Sequence, residues 1–296
     1  MSKAQESRTY FRRCAEPGPR ADRTEASMDL VRRKRVLQFE LADAVSERDE
    51  PRRTMFEAAQ MQRRLCGPRR LRRGDFEFAS ELFPARHVSG DFISLFPCGS
   101  ELAFAIGDIA GKGLPAAMWF THLITALREM TIASPDPGSA MKGLNNSVCE
   151  SAFDVPLTTM FLARLDTGTG RLQWCNAGHP PAQVLRRDGR FELLLDGGPL
   201  LGAVPEAQFH CGELYLEPGD TLLAYSDGVE ECRNAAGSEF GSERLLDAAK
   251  RSLSTSAAHI LFSVLAAAQE FTVNQRRDDD MAMIVLTRSQ SACAVD

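Results

Sequence analysis

The sequence predicts a layered α+β domain, and three observations carry that prediction. Strand-like runs arrive in neighbouring groups while helical runs come in pairs, so strand and helix do not simply alternate. Apolar residues make up 44% of the 296-residue chain, enough to bury a sizeable core in one large domain or two modest ones. No internal repeat or low-complexity tract interrupts the pattern.

Residues 1–27 mix Arg, Glu, Pro and Ser without periodicity, the pattern of a disordered or weakly ordered tail. Leu30, Leu37, Leu41 and Ala44 then recur at helical spacing, and "TMFEAAQMQRRL" (54–65) continues helically after Pro51. A helical segment is therefore expected over 28–66. Its apolar stripe fits either packing on the same chain or a dimerising, signalling helix, and spacing alone favours neither. "CGPRRLRRGD" reads as a connector into a domain expected over 67–290, with a tail at 291–296.

Within that domain, strand alternation begins near Phe76. It returns at 101–108, 157–165, 171–176, 182–186, 191–195, 212–216, 221–226 and 281–287. Helical patterns fall at 115–131, 138–152, 242–252 and 256–273.

The net charge of −5 conceals an asymmetry: residues 1–75 hold 19 Lys/Arg against 12 Asp/Glu, and the remainder 16 against 28. A basic arm precedes an acidic body. Arg-rich helix faces are commonly just solvated, so no nucleic-acid or membrane partner is expected. The eight cysteines show no two-residue spacing of a zinc or redox motif and read as reduced thiols. The first residues lack the apolar centre of a signal peptide, and "ILFSVLAAA" is too short to span a bilayer, so a cytoplasmic protein is expected.

Four strand-to-turn junctions carry aspartate. "ELAFAIGDIAGKG" ends an apolar strand on Asp108, "ARHVSGDF" sets Asp91 after Gly90, "LLAYSDGVEE" ends on Asp227, and "RRDDDMAMIVL" puts Asp278, Asp279 and Asp280 before the last strand. Singly, each reads as a turn opener. Together they point to a hard-cation site, because buried carboxylates require hydrogen bonds, a cation or a metal, and the five histidines form no ligand-like pair. Oxygen ligands suit Mg²⁺ or Mn²⁺. Two such ions about 3.5–4 Å apart can lower the pKa of a water between them and neutralise phosphate oxygens, so phosphoester hydrolysis is the natural chemistry.

At these residues the sequence resembles the PPM (PP2C-like) metal-dependent serine/threonine phosphatases, in the bacterial branch typified by SpoIIE and RsbU. The matching stretches, in the family's order, are "PARHVSGDF", "GDIAGKGLPAAM", "NAGHPP", "GGPLLG", "YSDGVEECRN" with "EFGSERL", and "DDMAMIVL". They span roughly residues 55–288. The resemblance implies an αββα four-layer sandwich: two antiparallel sheets face to face, flanked by helices, with an N-terminal helical extension. It implies two divalent cations, Mn²⁺ or Mg²⁺. Asp108 would bridge them, the backbone carbonyl of Ile109 and Asp91 would hold one, and Asp227 and Asp279 the other.

The resemblance further implies a phosphate-binding role for Arg86, at the offset from Asp91 where eukaryotic relatives place such an arginine. A surface ion pair is the rival reading. Asp280 is expected beside the site rather than as a ligand, and Asp278 outside it. His179 in "NAGHPP" reads as part of a rigid turn rather than a general acid. The GKG segment lacks P-loop spacing, which excludes an NTPase, and Lys112 reads as exposed. Departures from the branch pattern at Ser89, Ile93, Ser94 and Ala282 remove no expected ligand.

The expected function is dephosphorylation of serine or threonine on a small partner, by resemblance a STAS-type anti-sigma-factor antagonist in bacterial partner switching. If the 28–66 helices self-associate rather than pack on their own chain, the expected product is a homodimer. Two alternatives stand beside it: a pseudophosphatase docking module, which the intact aspartates oppose, and a metal-dependent hydrolase of a small phosphoester.

Overall fold

Large and small apolar side chains alternate along the strands and sort the chain into layers. The computed structural model describes residues 34, 54–85, 88–111, 114–151, 155–253, 255–273, 275 and 277–290. The expected tails at 1–27 and 291–296, most of 28–53, and Arg86, Lys112 and Gly113 lie outside the described residues. By contacts the chain divides into two units, Met1–Thr54 and Met55–Asp296. The second holds every element below apart from the first residue of α1.

Residues 54–65 form helix α1. Strands β1 (Arg70–Arg73) and β2 (Phe76–Phe83) pair as a hairpin, followed by β3 (Asp91–Cys98) and β4 (Glu101–Ile109). Helices α2 (Leu114–Ala133) and α3 (Pro137–Cys149) come next. Then follow β5 (Thr158–Leu165), β6 (Arg171–Ala177), β7 (Ala182–Leu185), β8 (Phe191–Leu194), β9 (Gly197–Gly198), β10 (Gly212–Tyr215) and β11 (Thr221–Tyr225). The chain closes with α4 (Asp227–Glu230), α5 (Gly241–Arg251), α6 (Ala257–Phe271) and β12 (Met281–Arg288).

One sheet has the order β1-β2-β12-β11-β7-β8; the other runs β10-β6-β5-β4-β3, with β9 beside β6. Every pairing is antiparallel except β6 with β9. The core between the sheets is aromatic at its centre, where Phe104 meets Phe78 and Phe161 at ring-centroid distances of 5.9 and 6.5 Å. β4 shows how residue size sets the layers. Leu102, Phe104 and Ile106 fill the space between sheets, while Ala105 leaves room for the helices on the other face.

Phe120, Leu123, Ile124 and Leu127 of α2 recur at helical spacing and seal that outer face together with α3. Asp136 caps α3, its side chain accepting from Ser139 N at 2.9 Å, with Pro137 in the first turn where no amide is missed. Helices α5 and α6 cover the opposite sheet through Leu245, Leu261 and Val264. The result is the αββα sandwich expected from the sequence.

Strands β1, β3 and β9 and the one-turn helix α4 fall outside the elements expected from periodicity. Residues 70–73 are strand β1, not connector: Leu71 packs against the inter-sheet core, and arginines on either side mask the period-two pattern. Pro97 is tolerated in β3 because β3 is an edge strand. No described helix is long and apolar enough to cross a membrane.

Candidate functional site

The β3–β4 hairpin sets Asp91 directly opposite Asp108 in register, and Asp108 in turn faces Thr159 of β5. β4 is interior to its sheet, so its apolar run ends where the sheet does, and Asp108 emerges half-buried at that rim. Asp91 is buried at 2% exposure. Burial pushes its carboxyl well above the usual carboxylate range, against the Ser226 hydrogen bond, and the charges of Asp108, Asp280 and Asp227 push the same way.

Asp91 is tied to the other sheet by a residue whose role has no sequence signature. Ser226 Oγ donates to Asp91 Oδ2 at 2.5 Å and accepts from Ala282 N at 2.9 Å, while Ser226 N donates to Ala282 O. The last sequence-expected ligands approach through the same elements. Asp227 opens α4, and a Cβ on Gly228 would fall 1.9 Å from Asp280 O, so glycine is required for α4 to lie against the 279–280 turn. Asp227 and Asp279 consequently line one recess of about 300 Å³. Asp278 lines it too, which places it nearer the site than its sequence context implied.

Asp280 acts on the loop ahead of Asp91. Its carboxylate oxygens accept from Ala85 N and Gly90 N, both at 2.7 Å. Gln62 of α1 grips the same loop: its amide donates to Ser89 O at 2.7 Å and accepts from Ser89 N at 3.2 Å. Both contacts are buried at their polar ends, where a lost partner is costly.

Whether these residues suit a hard cation is tested by Gly90. A Cβ built there would sit 2.9 Å from Asp108 Oδ1, 3.0 Å from the Ile109 carbonyl oxygen and 3.2 Å from that of Gly111. Glycine at 90 therefore lets the backbone lie against three neighbouring oxygens, one carboxylate and two carbonyls, and oxygens of these kinds are the donors a divalent hard cation takes. Among the described residues no three Asp, Glu, His or Cys side chains form a ligand cluster by themselves.

His179 is buried, and burial pushes its pKa down to about 3, opposed only by the Tyr225 backbone. It is neutral at physiological pH. Asn176 holds its turn from both sides, donating to His179 O at 2.9 Å and accepting from His179 N at 2.8 Å. Nδ1 lies 2.9 Å from Thr159 Oγ1, the residue facing Asp108. The imidazole thus lies against the residue that pairs with Asp108 across the sheet. Arg86, the expected phosphate-binding residue, lies outside the described residues.

Residues 99–289 match the family model of stage II sporulation protein E (SpoIIE). The chain is 26% identical over 234 residues to phosphoserine phosphatase RsbU of Bacillus subtilis, covering 78% of this chain and 69% of RsbU. It is 31% identical over 192 residues to protein IcfG of Synechocystis, covering 55% of this chain but 30% of IcfG, so it spans under a third of that relative's length. Among solved structures, the SiaA-PP2C domain of Pseudomonas aeruginosa superposes with a TM-score of 0.69 at 17% identity, over 81% of this chain and 98% of that domain, a likeness of fold.

Proposed function

The chain belongs to the family of stage II sporulation protein E, and from that premise we propose that it is a metal-dependent protein phosphatase acting on phosphoserine or phosphothreonine. The observation that carries the reading is the close approach of Asp108 Oδ1 and the Ile109 carbonyl oxygen to Gly90, with Asp91 opposite Asp108 in register. In this reading Asp91, Asp108 and the Ile109 carbonyl hold one divalent cation, and Asp108, Asp227 and Asp279 the other. Two Mn²⁺ or Mg²⁺ ions supply, when bound, a lowered pKa for water and positive charge against the phosphate oxygens.

The chain's own residues do the remaining work. Ser226 fixes the rotamer of Asp91, so its carboxylate is aimed before any ion arrives. Asp280 holds Ala85 and Gly90, which flank in sequence the proposed phosphate-binding residue Arg86. Such preorganisation removes reorganisation from the reaction, the usual source of large rate gains in phosphoryl chemistry. Neutral His179 offers no proton at pH 7, so general acid catalysis is not assigned to it.

The substrate class proposed is a phosphorylated STAS-type anti-sigma-factor antagonist in a cytoplasmic partner-switching system, a reading supported by similarity to the phosphoserine phosphatase RsbU. Phosphate release from such a phosphoprotein, a phosphoserine peptide and a general chromogenic ester, each with and without Mn²⁺, tests it. Mn²⁺-dependent release from the protein that Asp108→Asn abolishes is the expected result. Turnover of the chromogenic ester alone would favour a small-phosphoester hydrolase, and binding without any turnover a docking module.

A further inference from the structure

We propose that Arg277 binds the phosphate group of the substrate, a second cationic contact in addition to Arg86; the inference rests on the phosphatase reading above. Asp227, Glu231, Arg233, Asn234, Arg277 and Asp279 line the same recess, which places two arginines on walls shared with two expected metal ligands. Those arginines are not equivalent. Arg233 is committed to Glu239 and to the Gly237 carbonyl. Arg277 makes no ion pair among the described residues; instead its guanidinium lies 5.1 Å from the centroid of the Phe83 ring.

That stacking has a chemical consequence. A guanidinium lying on an aromatic face is held in orientation while its N–H donors, which lie in its own plane, stay free for an anion. The platform is itself fixed. Phe83 ends β2 opposite Met281 of β12, and Ala85, two residues on, is held by Asp280. Arg277 is thus anchored to the strand pair whose turn presents Asp279. A phosphate monoester offers three terminal oxygens, and a planar guanidinium can take two of them through parallel hydrogen bonds. No bond to Arg277 forms or breaks; it binds and orients.

The test uses the full chain with Mn²⁺ and two variants, Arg277→Ala and Arg277→Lys. Readouts are KM for a phosphoserine peptide, the inhibition constant of inorganic phosphate, the Mn²⁺ half-saturation, and the protection that inorganic phosphate gives against thermal unfolding. Arg277→Ala should raise KM and the phosphate inhibition constant roughly 10- to 100-fold, the range for losing hydrogen bonds to a charged group. The lysine variant should fall between, because it keeps charge but loses the fork. Mn²⁺ half-saturation should not move. Unchanged phosphate inhibition and protection in Arg277→Ala would overturn the proposal. If the wild type hydrolyses nothing, the phosphatase reading fails, yet phosphate protection that depends on Arg277 would still establish the anion site.

Discussion

Ser226 Oγ stands 2.5 Å from Asp91 Oδ2 and joins the end of one sheet to the start of a strand in the other. Because the same hydroxyl accepts from Ala282 N, Ser226→Ala removes a donor from a buried carboxylate and an acceptor from a buried amide together. The expected cost is about 1–3 kcal/mol of stability, measured by urea unfolding without metal. Mn²⁺ half-saturation should also rise, since Asp91 loses the bond that aims it. A variant with unaltered Mn²⁺ dependence would remove Ser226 from the site.

Asp91 itself illustrates a site maintained against stability. Its buried carboxylate, crowded by Asp108, Asp280 and Asp227, is unfavourable until a cation shares the charge. Asp91→Asn should therefore unfold at a higher temperature than wild type in EDTA, and should lose most of the stabilisation that excess Mn²⁺ confers on wild type. Differential scanning fluorimetry with and without Mn²⁺ reads both effects. Stabilisation of Asp91→Asn and wild type by Mn²⁺ to the same degree would remove Asp91 from the ligand set.

Asp108 was legible in the sequence because an apolar run that should stay interior ends abruptly on a carboxylate followed by glycines. The partners that aim the site were not. Ser226 lies 135 residues from Asp91, and a serine before Asp-Gly looks locally like a helix cap. Gln62 reads as part of the polar face of an amphipathic helix, although it is 4% exposed and holds Ser89. Asp278, Asp279 and Asp280 cannot be told apart by composition; only the packed turn directs Asp280 to two amides and leaves Asp279 on the recess. Strand β1 was hidden for a simpler reason, since three of its four residues are arginine.

Stability should depend on pH through His179. Its pKa of about 3 in the folded protein lies below the unfolded value near 6.5, so the unfolded chain takes up the proton first as pH falls. The stabilisation is complete above about pH 6.5 and is lost progressively toward pH 3, at up to about 1.4 kcal/mol per pH unit. The raised pKa of Asp91 slopes stability the other way, so the difference between proteins isolates His179: in urea unfolding at pH 7.5, 6.5 and 5.5, stability should fall more steeply with acid in wild type than in His179→Asn. Equal slopes in the two proteins would mean that another group carries the dependence.

The Gln62 contact predicts where the chain can be shortened. Residues 55–296 form one contact unit, and within it α1 delivers Gln62 to Ser89, two residues from Asp91. Removing residues 1–53 should leave the melting temperature of the catalytic unit and its Mn²⁺ half-saturation close to those of the full chain, with any change confined to oligomeric state or basal rate. Removing residues 1–66 strips the partner from both Ser89 backbone groups and should lower the melting temperature and weaken Mn²⁺ dependence together. Gln62→Ala, which deletes only the amide, should reproduce the Mn²⁺ effect with about 1–3 kcal/mol of destabilisation. Light scattering, thermal melts and Mn²⁺ titrations on the three proteins separate these effects. Identical Mn²⁺ titrations for full chain, Gln62→Ala and the shorter truncation product would confine α1 to a packing role.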